Sequence, residues 1–135
     1  MTLSQSLAGL PAFLLYFGFG LVLFGLFAVL YSRITPHREF ALIAQGNLAA
    51  AISFSGALLG FVLPLASAIV HSVSALDMLA WGVIASLVQV VVYFIVSRLV
   101  PGCSAAIEAG KVAPASLLAA VSLATGLLNA AALTY

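Results

Sequence analysis

Four long apolar runs, separated by short polar segments, constrain the fold of this chain more than any other feature. Each run has 23 to 25 residues, and about 20 helical residues cross a bilayer. Lipid offers no partners for backbone polar groups, so the runs are expected to be helices. They also lack the alternating polar positions of a membrane β-strand. The predicted spans are roughly Leu7–Tyr31, Leu48–Val70, Leu76–Val100 and Val112–Thr134.

The composition excludes the other classes of protein. Of the 135 residues, 65% are hydrophobic, and the chain has four Lys or Arg and three Asp or Glu. A soluble domain has about 25% charged residues, and a disordered chain needs low hydrophobicity and high charge. The sequence therefore predicts an all-α polytopic membrane protein, in which residues 1–135 form a single transmembrane domain within the lipid bilayer.

The positive charges predict the orientation of the chain. Arg33 and Arg38 lie between spans one and two, Arg98 lies at the edge of span three, and Lys111 lies between spans three and four. Cytoplasmic loops carry an excess of Lys and Arg, so we expect these residues to form a cytoplasmic interface, with the N-terminus and the C-terminus outside. The first span lacks the basic n-region of a signal peptide and exceeds its h-region in length, which indicates a retained helix.

The two halves of the sequence resemble each other. Ser32–Pro36 has the same Ser-Arg-x-x-Pro pattern as Ser97–Pro101, 65 residues later, and matches such as Gly46 with Gly110 follow at an offset of 64. The pattern predicts two helical hairpins, about 7–70 and about 76–134. These repeats are expected to be parallel, related by a pseudo-two-fold axis along the membrane normal, unlike the inverted repeats of many transporters.

Span two carries a stripe of small residues on one face. Gly56 and Gly60 form the Gly-x-x-x-Gly pattern of closely packed membrane helices, and Pro64 removes a backbone donor and favours a kink. The stripe is typical of a helix contact; alternatively, small residues leave room for water along a pore or substrate wall. Its members are Ala49, Ser53, Gly56, Gly60, Pro64 and Ser67.

Span one is aromatic on one face and has glycines on another. Residues at i, i+3, i+4 and i+7 share a helix face, and the aromatic stripe is expected to face lipid or to fill wide gaps between helices. Gly18 and Gly25 are expected to admit a neighbouring helix. The aromatic residues are Phe13, Phe17, Phe24, Phe27 and Tyr31.

Polar side chains mark spans three and four. Span four is small on nearly every side, which predicts a place at the centre of the protomer or at a subunit contact. Gln89, on a face with Ser86, is near mid-membrane, whereas Asn129 is within two turns of the outer end. These depths argue against a bond between the two amides. Each amide side chain is interpreted as forming an interhelical hydrogen bond, worth about 0.6 kcal/mol on average, or as part of the polar lining of a permeation path.

The first loop, Thr35–Gly46, has the pattern of a short interfacial helix, with Thr35 as its cap. We expect its charged or titratable residues to stay in water and two apolar residues to dip into the interface. The former are His37, Arg38 and Glu39, and the latter are Phe40 and Ile43. Asn47 is the expected N-cap of span two. The loop is interpreted as a topology anchor or as a contact for anionic lipid or a soluble partner.

The usual catalytic patterns are missing from the sequence. His37 and His71 are predicted on opposite sides of the membrane, and Cys103 is the single cysteine, so a thiolate cluster for zinc is excluded. No carboxylate lies deep in a span, as it does in proton pumps. We therefore expect no catalytic, cofactor-binding or metal-ligating residue, no enzymatic activity and no nucleic-acid partner.

Four segments of the chain carry a resemblance to a known family. The most specific is Gly46–Ala51, and the others are Tyr31–His37, Ser55–Gly60 and Pro64–Ala68. Together they resemble the YjfL-type bacterial inner membrane proteins, a domain-of-unknown-function family of duplicated two-helix units. The resemblance implies a four-span protein of the bacterial cytoplasmic membrane and no established activity. The resemblance also implies a gene neighbourhood with a PspA-like envelope-stress protein or with polyamine-synthesis homologues, and the former associates the family with envelope stress.

The sequence favours two functions. The first is a non-enzymatic membrane component that assembles into a homo-oligomer and recruits a cytoplasmic protein partner; the small-residue stripes and the basic inner loops indicate it. The alternative is a small channel or transporter, with a polar path lined by helices two to four around Gln89, Ser86 and the stripe of span two.

Overall fold

A computed structural model of the protein describes residues 2–133, which form seven α-helices. Four helical segments are long and apolar enough to cross a membrane, and the all-α prediction with four spans is confirmed at this level. The predicted end of span four, Thr134, lies outside the described residues. In chain order the helices are α1 (Leu3–Leu7), α2 (Leu10–Ile34), α3 (Glu39–Ala44), α4 (Leu48–His71), α5 (Ala75–Leu99), α6 (Cys103–Glu108) and α7 (Val112–Ala132).

The first membrane segment is longer than predicted. It covers Leu3–Ile34, with a break between the short α1 and the long α2. Gly9 is the N-cap of α2, and a proline follows in its first turn. Proline is tolerated there because the first helical N–H groups have no intrahelical partner. At its other end the span reaches Ile34, three residues beyond the predicted Tyr31.

Each of the two inter-helix loops on the α3 and α6 side contains a six-residue helix. Gly46 and Gly110 follow these helices with φ of 86° and 82°, a conformation that residues other than glycine rarely adopt. In both loops the next residue, Asn47 or Lys111, donates its N–H to the carbonyl five residues earlier at 2.9 Å. The two loops thus have the same backbone turn. We call this side of the bundle the basic end, because Arg33, Arg38, Arg98 and Lys111 all lie there.

The first loop helix begins later than predicted. α3 starts at Glu39 and its N-cap is Arg38, which makes no side-chain cap bond. Thr35 instead ends α2, where its N–H donates to the carbonyl of Tyr31 at 3.1 Å. The prediction that Thr35 caps the loop helix is therefore wrong, because the side chain serves the preceding helix.

The central helix of the protomer is α4, which contacts α2, α3, α5, α6 and α7. Its most extensive contact is with α7. The prediction that span four is central is wrong within the protomer, because α7 buries one face only. That face consists of Ala115, Leu118, Ala119, Ser122 and Gly126.

The aromatic stripe of α2 divides between the core and the outside of the protomer. Phe27 stacks on Phe61 of α4 with ring centroids 4.4 Å apart, and Tyr31 is also buried. Phe13 and Phe17 are 57% and 52% exposed. Both predicted roles of the stripe, filling gaps and facing outward, are therefore found at different depths of one helix.

The glycines of α2 do not behave as predicted. A Cβ built at Gly18 or Gly25 meets no atom within 4 Å, so neither glycine admits a neighbour within the protomer. The buried glycine of α2 is Gly20, where a Cβ would lie 3.2 Å from Ile69. The error arises because helix spacing identifies a face but not the direction in which the other helices lie.

Candidate functional site

The small-residue stripe of α4 lies against the backbone of α7. A Cβ added at Gly56 would lie 2.4 Å from the Cα of Ala119, and one at Gly60 would lie 2.3 Å from the carbonyl oxygen of Ser122. From the other side, a Cβ at Gly126 would lie 2.1 Å from the carbonyl oxygen of Gly60. Ordinary carbon contacts are about 3.5–4.0 Å, so these positions accept glycine and nothing larger without a shift.

The polar members of the stripe bond to backbone. The hydroxyl of Ser53 is buried and donates to the carbonyl of Ala50 at 3.2 Å. The hydroxyl of Ser67 donates across to the carbonyl of Ala130 in α7 at 3.0 Å. Pro64 is buried within α4. This arrangement favours a packed contact over a water-filled wall along this face.

The amide of Gln89 is fully buried and joins α5 to α7. Its Nε2 donates to the carbonyl of Ser122 at 3.1 Å. The hydroxyl of Ser86, on the same helix, donates to the backbone carbonyl of Gly82 in that helix. Asn129 lies elsewhere on α7, and within residues 2–133 its Nδ2 is buried without a hydrogen-bond partner. The structure thus places the two amides apart and gives Gln89 a backbone partner.

Asn47 connects the two halves of the chain at the basic end. Its side-chain oxygen accepts from the N–H of Ala50 at 2.9 Å, which makes it the N-cap of α4, as predicted. Its Nδ2 donates to the carbonyls of Ile107 and Glu108, at 2.9 and 3.3 Å, at the end of α6. One amide therefore satisfies free backbone groups at the start of one helix and the end of another.

The four predicted cytoplasmic residues, Arg33, Arg38, Arg98 and Lys111, are all exposed. Arg33 and Arg38 line an open groove of about 570 Å³ between the end of α2 and α3. Glu39 and Phe40 line the same groove. The basic end thus presents a polar surface rather than an enclosed cavity.

Beneath this surface lies a buried polar cluster that we define as Thr35, His37 and Glu39. Their exposed fractions are 4%, 1% and 0%. The prediction that His37 and Glu39 stay in water is therefore wrong, whereas Arg38 between them is exposed as predicted. Thr35, His37 and Glu39 are buried in the bundle, whereas Pro36 and Arg38 between them are exposed.

Thr35 organises the cluster. Its hydroxyl makes a short hydrogen bond to the Oε1 of Glu39 and lies 3.2 Å from the carbonyls of Tyr31 and His37. The Nε2 of His37 lies 3.8 Å from the same carboxylate oxygen. Among the residues that the structure describes, the Oε2 of Glu39 and both ring nitrogens of His37 are buried without a hydrogen-bond partner.

Burial determines the electrostatics of the cluster. It raises the pKa of Glu39 from 4.5 to about 7, although the hydrogen bond from Thr35 acts in the opposite direction. It also lowers the pKa of His37 below its usual 6.5, against a smaller effect of Glu108. Both shifts favour the uncharged form, because low-dielectric surroundings disfavour charge. The cluster is therefore suited to gain or lose a proton near neutral pH.

Aromatic and hydroxyl side chains surround the cluster. The ring of Tyr93 lies 6.2 Å from that of His37 and 6.0 Å from that of Tyr31. The hydroxyl of Tyr93 lies 2.5 Å from that of Ser104 on α6. Cys103 is buried beside them, and burial raises the pKa of its thiol. In residues 2–133 no group of three or more His, Cys, Asp or Glu is placed to hold a metal ion.

Comparison with known proteins gives one consistent relationship. The model of the family described as Domain of Unknown Function (DUF350) matches residues 5–133. The chain is 41% identical to the UPF0719 inner membrane protein YjfL of Escherichia coli strain K12 over 129 residues, which are 96% of this chain and 98% of that protein. It is 29% identical over 86 residues to the UPF0719 transmembrane protein YshE of Bacillus subtilis strain 168, 64% of each chain. No solved structure matches the chain. The predicted resemblance is therefore confirmed, and the chain belongs to the DUF350 family as a multi-pass protein of the bacterial inner membrane.

Proposed function

We propose that this protein is a non-enzymatic component of the inner membrane that assembles with copies of itself. The observation that carries the proposal is an unused small-residue face on α7. Ser116, Ala120 and Ala124 are exposed and lie four residues apart. Such spacing lets membrane helices approach closely, as Gly56 and Gly60 do within the protomer. A second copy of the chain is the proposed occupant of this face.

The test is the mass of the protein in mild detergent, measured by mass photometry or blue-native electrophoresis. Wild type is expected to form oligomers, and Ala120→Leu is expected to shift them to monomers because the larger side chain holds the helices apart. Ala80→Leu, at an exposed alanine of α5, is the matched control and should leave the mass unchanged. A strictly monomeric wild type would contradict the proposal.

The basic end is the proposed site of contact with a cytoplasmic protein. Its support is the exposure of Arg33, Arg38, Arg98 and Lys111, together with the rule that such residues face the cytoplasm. In this orientation both termini are outside. The resemblance to the YjfL-type proteins extends the proposal to envelope stress. Crosslinking in cells should capture a protein in wild type that is lost when Arg33 and Arg38 are changed to Gln, a variant that keeps Arg98 and Lys111 to maintain the orientation.

We also infer that the chain arose by duplication of a two-helix unit. The support is the matching order of long helix, six-residue helix and long helix in α2–α4 and α5–α7. The identical turns at Gly46 and Gly110 add to it. The parallel arrangement requires α2 and α5 to cross the membrane in the same direction, which reporter fusions in the two loops test.

A second candidate function is a small channel or transporter. One observation favours it: within residues 2–133 the Oε1 of Gln89 and the hydroxyl of Ser122 are buried without a hydrogen-bond partner. Polar atoms without partners are costly in a membrane interior, and water or a polar solute would satisfy them. Flux of ions and small polar solutes into liposomes that contain wild type, compared with Gln89→Leu, tests this function. Absence of flux in both proteins would exclude it for the solutes used.

A further inference from the structure

The carboxylate of Glu39 is buried without a positive partner. Its side chain is fully buried, and in the part of the chain that the structure describes its one ion-pair contact is His37 at 3.8 Å. Its Oε2 has no hydrogen-bond partner among these residues. An ionised carboxylate is strongly disfavoured in such surroundings unless it is paired. The packed position of Glu39 therefore fits the protonated, neutral acid.

Among the described residues, His37 is the one cationic group within 4.0 Å of the Glu39 carboxylate, and Arg33 and Arg38 lie in the adjoining groove with exposed side chains. The other titratable groups here are Tyr31 from α2, Tyr93 from α5, and Cys103 and Glu108 from α6, and α4 presents Phe54. His37 is itself 1% exposed, so its protonated form would also be buried. The neutral pair of acid and imidazole is the state that this packing accommodates.

We propose that Glu39, together with Thr35 and His37, forms a proton-binding site that holds α3 against the bundle while Glu39 carries its proton. Loss of the proton leaves a charge that the packed site does not stabilise. The open groove beside Glu39 offers water and the exposed Arg33 and Arg38. Ionised Glu39 moves into this groove, and α3 moves away from the bundle with it.

The direction of the pH dependence follows from the shifted pKa of Glu39. A group whose pKa is raised, here from 4.5 to about 7, favours the packed state fully below pH 4.5, and this preference is lost as the pH rises through 7. With these two values, the ratio of open to packed protein rises about tenfold between about pH 6 and about pH 8.5. His37, whose pKa is lowered, acts in the opposite direction below pH 6.5.

Infrared spectroscopy of the full chain in lipid nanodiscs tests the protonation directly. The chain has three Asp or Glu, so few carboxyl bands overlap. Wild type should show a protonated carboxyl band that disappears with a midpoint near pH 7, or below it in proportion to the share of ionised Glu39 that leaves the packed site. Glu39→Gln should lack this band, and Asp77→Asn, at the opposite end of the bundle, should retain it. A wild-type spectrum without a carboxyl that titrates near neutrality would overturn the proposal.

Alkylation of Cys103, which shares a groove with Pro36 in the segment that leads into α3, tests the movement of this segment together with α3. This thiol is 2% exposed and is the single cysteine of the chain. The thiolate fraction of Cys103 rises with pH in wild type and in Glu39→Gln alike, and His37, whose pKa is lowered below 6.5, is largely neutral over this range, so the ratio of the two rates reports on Glu39. The increase in rate between about pH 6 and about pH 8.5 should be about tenfold larger in wild type. Equal increases in the two proteins would show that α3 stays packed and would overturn the release step.

Discussion

Replacing Gly56 by alanine should force α4 and α7 apart. The new Cβ would lie 2.4 Å from the Cα and 2.5 Å from the Cβ of Ala119. Both atoms belong to a helix and cannot rotate away, so the two helices must separate locally by about 1 Å to restore an ordinary carbon contact of about 3.5 Å. Overpacking of this kind costs about 1–3 kcal/mol, and the higher helix propensity of alanine offsets at most about 1 kcal/mol.

The matched control is the same substitution at Gly25. A Cβ there meets no atom within 4 Å, so only the helix propensity of alanine acts. Gly25→Ala should therefore leave the free energy of unfolding unchanged or raise it by up to about 1 kcal/mol. Any loss of oligomer in this variant without a loss of protomer stability would instead place Gly25 at a subunit contact.

The assay is reversible unfolding in mixed micelles with increasing fraction of sodium dodecyl sulfate, followed by far-ultraviolet circular dichroism and by the fluorescence of Trp81. Gly56→Ala should have a free energy of unfolding about 1–3 kcal/mol below that of Gly25→Ala, because the gain in helix propensity is common to both variants. Equal stability of Gly56→Ala and Gly25→Ala would refute the inference that backbone contact between α4 and α7 holds the protomer together.

Three further predictions use simpler comparisons. Asn47→Ala should destabilise the protein by about 1–2 kcal/mol in the same assay, because it removes the cap of α4 and the bond to α6; Asn47→Ser, which keeps a capping oxygen, should recover part of this loss. Gln89→Leu should cost about 0.6 kcal/mol and not more than about 1.7 kcal/mol, and a larger loss would mean that the amide does more than bond to α7. Reporter fusions after Tyr135 should report the outside and fusions near Cys103 the cytoplasm, and the reverse result would overturn the orientation.

The spans and the N-cap of α4 were predictable because they depend on local sequence. Run length and the absence of charge identify membrane helices, and Asn47 fits a cap because its side chain bonds to a backbone group three residues away. The spacing of small residues also predicted close packing on one face of α4. The spacing did not identify the partner helix, because it shows which residues share a face and not which helix that face meets. For the same reason it could not show that Gly56 meets a neighbour in the protomer and Gly25 does not.

The buried cluster was not predictable from the same signals. His37 and Glu39 stand in a short polar loop beside Arg38, a pattern that ordinarily indicates solvated side chains. Their burial depends on α5 and α6, which follow 36 or more residues later in the chain. The alternation of buried Thr35, His37 and Glu39 with exposed Pro36 and Arg38 appears only in the structure, because the sequence of this segment does not alternate between polar and apolar residues.

The contact between α4 and α7 has a consequence for the order in which the protein is made. When the first hairpin enters the membrane, the glycine face of α4 has no partner, because α7 leaves the ribosome after α4, α5 and α6. Until then Gly56 and Gly60 lack the backbone that they contact in the folded protomer. Synthesis of α7 supplies that contact, so removal of this helix would leave the central helix of the protomer uncovered on the face that it packs most closely.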